Sequence, residues 1–505
     1  MTPAQIVAAL FTPLFLLYLY VRINDSKLMR LPPSVAQAFQ SERWTEDDVK
    51  KEFLGMQEKS INIEGRLPQK TGRRYIVVGG AGFLGGWIVR HLIERGEDPR
   101  RVRVLDIRPP TRPDLTSGPA TLVDFRAVDI TDKVALDAAF DAAWPDGSTS
   151  HDETTVFHTA ANIRFYERHP DLLYRSSKVN VDGTQNILDA CQRTGVKILV
   201  YTSSGSVLVH RTRFLLGLFE KEPPMFTQAV DDKSPIPDRH DKTFSNYAAS
   251  KIEGEKRVRN ANGTGKGLRT GCIRPGNGIY GPGGDVLCGA YLVRQTNPTW
   301  IGKSLQSFIF VENVSLAHLC YEARLLESPA LGGDAFCVVD RGPPATYGDV
   351  YMASTLLTDG LVTFPELSST GMLMLAHVFE WLHLARYFTS TSSSAVTRAF
   401  GRLIPSIDGD LINLQPSLWA LTAIHLVFDD SRARLPPSKG GLGYEPLWST
   451  REGLCKLVDE HIKAGGKAEE RSIAGGGVSL GFASSKAQRG VGRVVEKIDP
   501  VGVVN

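Results

Sequence analysis

"YIVVGGAGFLGGWIVRHL", Tyr75 to Leu92, sets an apolar, β-branched run against a helical pattern and fills the junction with glycines. Gly80, Gly82 and Gly85 fit G-x-G-x-x-G, and Gly79, Gly82 and Gly85 fit the wider G-x-x-G-x-x-G. In either frame the bare backbone permits a tight turn, lets a pyrophosphate approach, and brings helix close to strand. Phe83 and Leu84 fall at the opening of the helix, where unpaired N–H groups and a partial positive charge hold phosphate. Asp106 ends "RVRVLD" about twenty residues on, the place where an acid accepts hydrogen bonds from the adenosine ribose. Its charge repels a 2′-phosphate, so NAD is expected ahead of NADP. Arg108 keeps NADP open, because a nearby arginine accommodates that phosphate.

The rhythm set by this stretch continues. "RVRVLDI", "DFRAVDI", "TTVFHTA", "VKILVYTSS" and "LRTGCIRPG" read as strands, and "KVNVDGTQNILDACQRTG" and "NYAASKIEGEKRVRNA" as helices. Strands alternating with helices predict an α/β, Rossmann-like, doubly wound parallel sheet covered on both faces, over residues 71–280. Residues 281–465, from the Gly/Pro-rich "GPGGD" onward, are expected to form a smaller substrate-binding region. It holds the apolar stretch "GMLMLAHVFEWLHLARYF", which His377, Glu380 and His383 make a poor membrane crossing; a bilayer-surface helix, a cover over a greasy pocket and a core helix all remain open. Residues 466–505 are Gly/Ser/Lys-rich and read as a disordered tail.

Residues 6–21, "IVAALFTPLFLLYLYV", are apolar but for Thr12, and Arg22, Lys27 and Arg30 follow. The basic residues come after the run rather than before it, which favours an uncleaved membrane anchor over residues 1–24 ahead of a signal peptide, a monotopic helix or a core helix. The positive-inside rule then puts the rest of the chain in the cytosol. Residues 25–70 read as a linker with one short amphipathic helix. The 58 basic and 55 acidic residues leave a net charge of only +3, which gives no case for nucleic acid. Six scattered cysteines, with no C-x-x-C and no ligand spacing among the histidines, read as buried thiols and predict no metal.

Tyr247 and Lys251 in "NYAASK" lie one helical turn apart on one face. An ammonium beside a phenol favours the phenolate, which makes Tyr247 a candidate general acid/base for a carbinol/carbonyl pair, with Lys251 also within reach of a nicotinamide ribose. Ser203 and Ser204 end a predicted strand, where open α/β sheets bind ligands, and a hydroxyl there can hold the substrate oxygen.

"VVGGAGFLG", "VDI", "HTAA", "VNVDGTQNILDAC", "YTSSGSV", "YAASK" and "IRPGNGIYGPG" together resemble the extended short-chain dehydrogenase/reductase superfamily, and within it the 3β-hydroxysteroid dehydrogenase and sterol-4-carboxylate 3-dehydrogenase family. The resemblance runs from about Arg73 to Asp340 and resumes at "LGYEPLWSTREGL". It implies that Tyr247 is the acid/base, Lys251 its partner, and Ser204, with Ser203 as fallback, the catalytic serine. It further implies that Asp129 and Ile130 contact adenine, Ala160 and Ala161 line the cofactor floor, Asn180 supports the active-site helix, and Pro275 begins the segment bordering the nicotinamide. The insertion "VLVHRTRFLLGLFEKEPPMF" after Gly205 departs from the family pattern, in a region that lies beside the substrate or meets the membrane.

The activity implied is NAD-dependent oxidation of the 3β-hydroxyl of a sterol, steroid or triterpenoid, with 4-decarboxylation or Δ5 isomerisation as further steps open to it. The place implied is the cytosolic face of the endoplasmic reticulum membrane, with room for a homodimer. A nucleotide-sugar epimerase or an NADP-dependent carbonyl reductase of the same superfamily is the alternative. A tethered NAD-binding sensor without turnover is a third reading, disfavoured by the intact Tyr247, Lys251 and Ser204.

Overall fold

The computed structural model describes residues 2–58 and 63–465, so the tail expected over residues 466–505 lies outside the described residues. Helix α1 (Pro3–Leu28) starts the chain, and α2 (Glu46–Glu58) follows. Then β1 (Arg74–Val78), α3 (Phe83–Glu94), β2 (Val102–Asp106), β3 (Asp124–Ala127), α4 (Lys133–Asp141) and β4 (Thr154–His158) alternate. Next come α5 (Thr184–Thr194), β5 (Ile198–Thr202), α6 (Asn246–Asn260), β6 (Arg269–Pro275), α7 (Val311–Glu327) and β7 (Ala335–Val338). Helices α8 (Ser369–Ser390) and α9 (Thr450–Lys463) belong to the later part of the chain.

The seven strands form one sheet in the order β7-β6-β5-β4-β1-β2-β3, every pairing parallel. The reason is visible along β1, where Tyr75 and Val77 point to one side and Ile76 and Val78 to the other, all four fully buried. Tyr75 and Val77 pack with Trp87 and Leu92 of α3 and Val314 and Tyr321 of α7. Ile76 and Val78 pack with Phe140 of α4, Ile187 and Leu188 of α5 and Val258 of α6. The doubly wound α/β sheet expected from the sequence is therefore present.

The strand order reverses between β1 and β4, and this places the ends of β1, β2, β4, β5 and β6 around one crevice. Beside it a second, four-stranded sheet joins Ala345–Thr346, Leu305–Gln306, His425–Phe428 and Thr227–Val230. Its order brings the inserted segment after Ser204 and the later part of the chain onto the substrate side of the crevice.

Helix α1 covers the segment expected to cross a bilayer, yet among the described residues no helix is long and apolar enough to do so. Its apolar stretch, residues 6–21, would span about 24 Å at 1.5 Å per residue, short of a hydrocarbon core of about 30 Å. The next turns are polar and docked: buried Asn24 hydrogen-bonds Phe214 O and Thr370 Oγ1, both at 2.9 Å. The six cysteines are buried and free, and no cluster of potential metal ligands exists among the described residues.

Candidate active site

The glycines of the opening stretch are constrained to different degrees. Gly79 takes a positive φ of 82°, and a Cβ there would stand 2.8 Å from Ala160 N. A Cβ on Gly85 would stand 2.1 Å from Gly79 O, so the helix can lie this close to the turn only with no side chain at that position. Gly82 is the N-cap of α3, and a Cβ there would meet nothing within 4 Å but Gly79 O at 3.2 Å. The space over the helix opening is clear, as a phosphate requires. Asp106 closes the turn from below: its Oδ2 accepts from Ala81 N at 3.1 Å and its Oδ1 from Arg108 N at 3.3 Å. Burial pushes its carboxyl upward, against those backbone amides. This cradle fits a dinucleotide.

The remaining expected contacts lie around the same crevice. Ala160 N bonds Val78 O at 3.1 Å, so the Thr159–Ala161 loop runs directly beside the glycine turn. Ile130 is buried against Gly183, where a Cβ would come within 2.7 Å of its side chain, while Asp129 is exposed and caps its own turn through Thr131 N. Pro275 ends β6, and its carbonyl lies against Gly205. Phe83 and Leu84 begin α3.

The two serines after β5 separate cleanly. Ser203 Oγ donates to Glu255 Oε2 at 2.5 Å, and Glu255 is itself held by both arms of the buried Arg274 guanidinium, at 2.9 and 2.5 Å. That hydroxyl is committed to structure. Ser204 instead lies beside Tyr247 and draws the phenol's pKa down against the larger upward push of burial. Ser206 Oγ donates to Ser204 Oγ at 2.8 Å and fixes its position. Of the two candidates, Ser204 is the one beside the phenol.

Lys251 does not bond Tyr247 in the manner its spacing implies. Its Nζ donates to Tyr201 Oη at 2.8 Å and to Thr202 O at 2.6 Å, and it stands 4.2 Å from the centre of the Tyr201 ring. Burial lowers the amine to about 7. Beneath it a network continues that sequence reasoning missed. Thr184 gives its one hydroxyl proton to Asn180 O at 2.9 Å, which leaves its lone pairs to face Tyr201 and, at 3.0 Å, His158 Nε2. Nε2 must therefore carry the ring proton, and burial, with Lys251 nearby, holds His158 neutral by pulling its pKa to about 3. The signal available was the strand alternation, which turns His158 and Tyr201 toward the same face of paired strands.

Asn180 sits in a π-helical turn, Lys178–Gly183, that runs into α5. Its Nδ2 donates to Asn162 O and to Ser250 Oγ, each at 2.9 Å, and its Oδ1 accepts from Asn162 N at 2.8 Å. It thereby ties the loop after β4 to the helix that carries Tyr247 and Lys251. Tyr247 packs on a buried apolar cluster that includes Phe165, Phe244, Phe428, Phe214 and Trp419.

A glycine cradle after β1 at the sheet's switch point, with a serine beside a tyrosine at the end of β5 two strands along, defines an oxidoreductase of the extended short-chain dehydrogenase/reductase class. The chain belongs to the 3-beta hydroxysteroid dehydrogenase/isomerase family, whose model matches residues 76–360. It is 30% identical over 436 residues to the 3beta-hydroxysteroid-dehydrogenase/decarboxylase isoform 2 of Arabidopsis thaliana, covering 81% of this chain and 67% of that one. It is likewise 30% identical over 317 residues to the decarboxylating sterol-4-alpha-carboxylate 3-dehydrogenase of Schizosaccharomyces pombe, with 61% and 82% covered. Among solved structures, the UDP-Glc/GlcNAc 4-epimerase of Campylobacter jejuni superposes with a TM-score of 0.51 at 17% identity, over 78% of this chain and 99% of that one. At that identity the likeness is one of fold.

Proposed function

We propose that the protein oxidises the 3β-hydroxyl of a sterol-like lipid to the ketone, with NAD as the preferred hydride acceptor. The observation that carries the reading is the placement of Ser204 close enough to the Tyr247 phenol to draw its pKa down, at the end of β5 beside the crevice opened by the glycine turn. Gly79, Gly80, Gly82 and Gly85 would hold the pyrophosphate and Asp106 the adenosine ribose, whose 2′-phosphate in NADP its carboxylate would oppose. A bound nicotinamide supplies the acceptor for the carbinol hydride.

The chain's own residues do the rest. Ser204 orients the substrate hydroxyl, and Tyr247 takes its proton as the carbonyl forms. The phenol pays for its burial with a raised pKa, so a cation near it matters, and Lys251 is the positioned source of charge, held on Tyr201 and Thr202. The apolar surroundings of Tyr247 are in keeping with a lipid substrate. When the alcohol bears a carboxylate on the adjacent carbon, oxidation gives a β-keto acid. That product loses carbon dioxide without a further residue having to supply charge, in keeping with the decarboxylase names of the plant and yeast relatives. The reading keeps the cytosolic face of the endoplasmic reticulum membrane as the place where such a substrate is met.

Following NADH formation by the full-length protein on 3β-hydroxysterols with and without a 4-carboxyl group tests this. Turnover in wild type and its loss in Tyr247→Phe, with NAD binding retained, is the expected result. Epimerisation of a UDP-sugar without net NADH would replace the reading with that of a nucleotide-sugar enzyme.

A further inference from the structure

Helix α8 is built inside out for a helix in water. Glu380 turns toward the protein and holds Arg168 through both carboxylate oxygens at 2.5 and 2.6 Å, and His383 Nε2 lies 3.4 Å from the buried Glu167. Leu375, Val378, Trp381 and Phe388 face outward instead, with Trp381 67% exposed. Their spacing of three, three and seven puts them on one stripe. A helix bordering water shows the reverse distribution.

Three neighbours extend the stripe. The short helix Ala395–Gly401 packs so closely on α8 that a Cβ on Gly401 would stand 2.6 Å from Thr389 Oγ1, and it exposes Val396 and Phe400 one turn apart. The inserted loop exposes Leu218 and Phe219, the latter 98% open. Helix α1 exposes every large apolar side chain from Phe11 to Leu19, Phe11, Leu14, Phe15 and Tyr18 most of all, around its whole circumference. These pieces are fastened to one another: Tyr20 Oη donates to Leu216 O, Lys27 Nζ to Gly217 O and Leu218 O, and Thr370 N to Asp25 Oδ1. The polar groups of α1 are thus spent on docking, while its apolar turns are left open.

We propose that α1, the loop at Leu215–Phe219 and α8 with the helix Ala395–Gly401 form a single monotopic membrane-docking face whose occupant is a lipid bilayer. Two observations favour a bilayer over a second copy of the chain. Exposed basic residues accompany the apolar elements, Arg22 on α1, Lys221 in the loop, Arg398 on the short helix and Arg402 just after it, and suit anionic headgroups. The face is also continuous with the active site, because Leu28, Phe214, Leu216, Leu373 and Ala376 belong to the same apolar cluster that packs on Tyr247.

Binding and turnover are read separately. Full-length wild type is expected to float with phosphatidylcholine–phosphatidylserine vesicles in a density gradient. The combined variant Phe15→Glu, Phe219→Glu, Trp381→Glu is expected to lose at least about a hundredfold in vesicle affinity, three aromatic insertions being removed together. Its NADH formation on detergent-dispersed sterol should match wild type, so loss of docking and loss of activity cannot be confused. Trp381→Phe keeps the apolar surface and removes one indole; quenching of tryptophan emission by bromolipid vesicles should fall in that variant. Flotation of the triple variant like wild type would overturn the proposal. So would a wild-type dimer that the three substitutions split while vesicle binding is absent from both, which would assign the face to a second copy.

Discussion

Replacing Tyr201 with phenylalanine removes one oxygen from beneath Tyr247 and leaves the ring in place. Lys251 then keeps Thr202 O at 2.6 Å and the aromatic face at 4.2 Å, but loses its bond to Tyr201 Oη. A hydrogen bond to a charged group is worth about 1.5–3 kcal/mol, against about 0.5–1.5 kcal/mol for a neutral one. The difference falls on the protonated amine, so its deprotonation moves down by roughly one pH unit. Burial already lowers Lys251 to about 7 in the folded protein, while in the unfolded chain it titrates near 10.4. Between those values the unfolded chain holds a proton that the folded one has released, so this group makes stability rise with pH across that window. In Tyr201→Phe the rise begins at a lower pH. The variant is therefore expected to lose about 1.5–3 kcal/mol at about pH 6 and less than half of that at about pH 9. Urea unfolding at the two pH values reads the stability, and the pH profile of NADH formation reads the displaced amine. Equal losses at both pH values, with an unmoved profile, would refute the assignment of Tyr201 as the seat of Lys251.

Ser204→Ala should cut kcat by roughly ten- to a thousandfold with little change in melting temperature, whereas Ser203→Ala should leave kcat near wild type and destabilise the fold by about 1–3 kcal/mol, because it strips a buried partner from Glu255. Gly85→Ala drives a Cβ onto Gly79 O, backbone against side chain with no rotamer to escape by, and should abolish dinucleotide binding as measured by calorimetry. Asp106→Asn should lower the ratio of kcat/KM for NAD over NADP by at least about tenfold, since it removes the charge that opposes a 2′-phosphate.

What the sequence made legible was what local chemistry determines. The Gly79–Gly85 turn, the acid ending β2 and the serines ending β5 each follow from a strand running into a turn, and the parallel sheet gathers those ends without further instruction. Partners distant in the chain were not legible. Helical spacing puts Tyr247 and Lys251 on one face, but it does not say that a phenol from β5 takes the ammonium; that depends on Tyr201 pointing at α6 rather than away from it. The charges within α8 looked like interruptions of an apolar run, and only Arg168, 212 residues earlier, shows them to be its inner side. The strands of the second sheet are two to four residues long and leave no periodic trace.

The pairing of α2 with α9 has a bearing on how the polypeptide comes together as it leaves the ribosome. Val49 of α2 is wholly enclosed by a cluster that includes Leu454, Leu457 and Val458 of α9, and Glu52 meets Arg451 at 2.9 Å. Nearly four hundred residues separate the two helices, which at about 5–20 residues per second is roughly twenty to eighty seconds of translation. Helix α1 waits less long, since the inserted loop and α8 both precede α9 in the chain, but until that loop is made it has neither to rest on, so the newborn chain meets whatever apolar phase is nearest before Tyr247 and Lys251 exist.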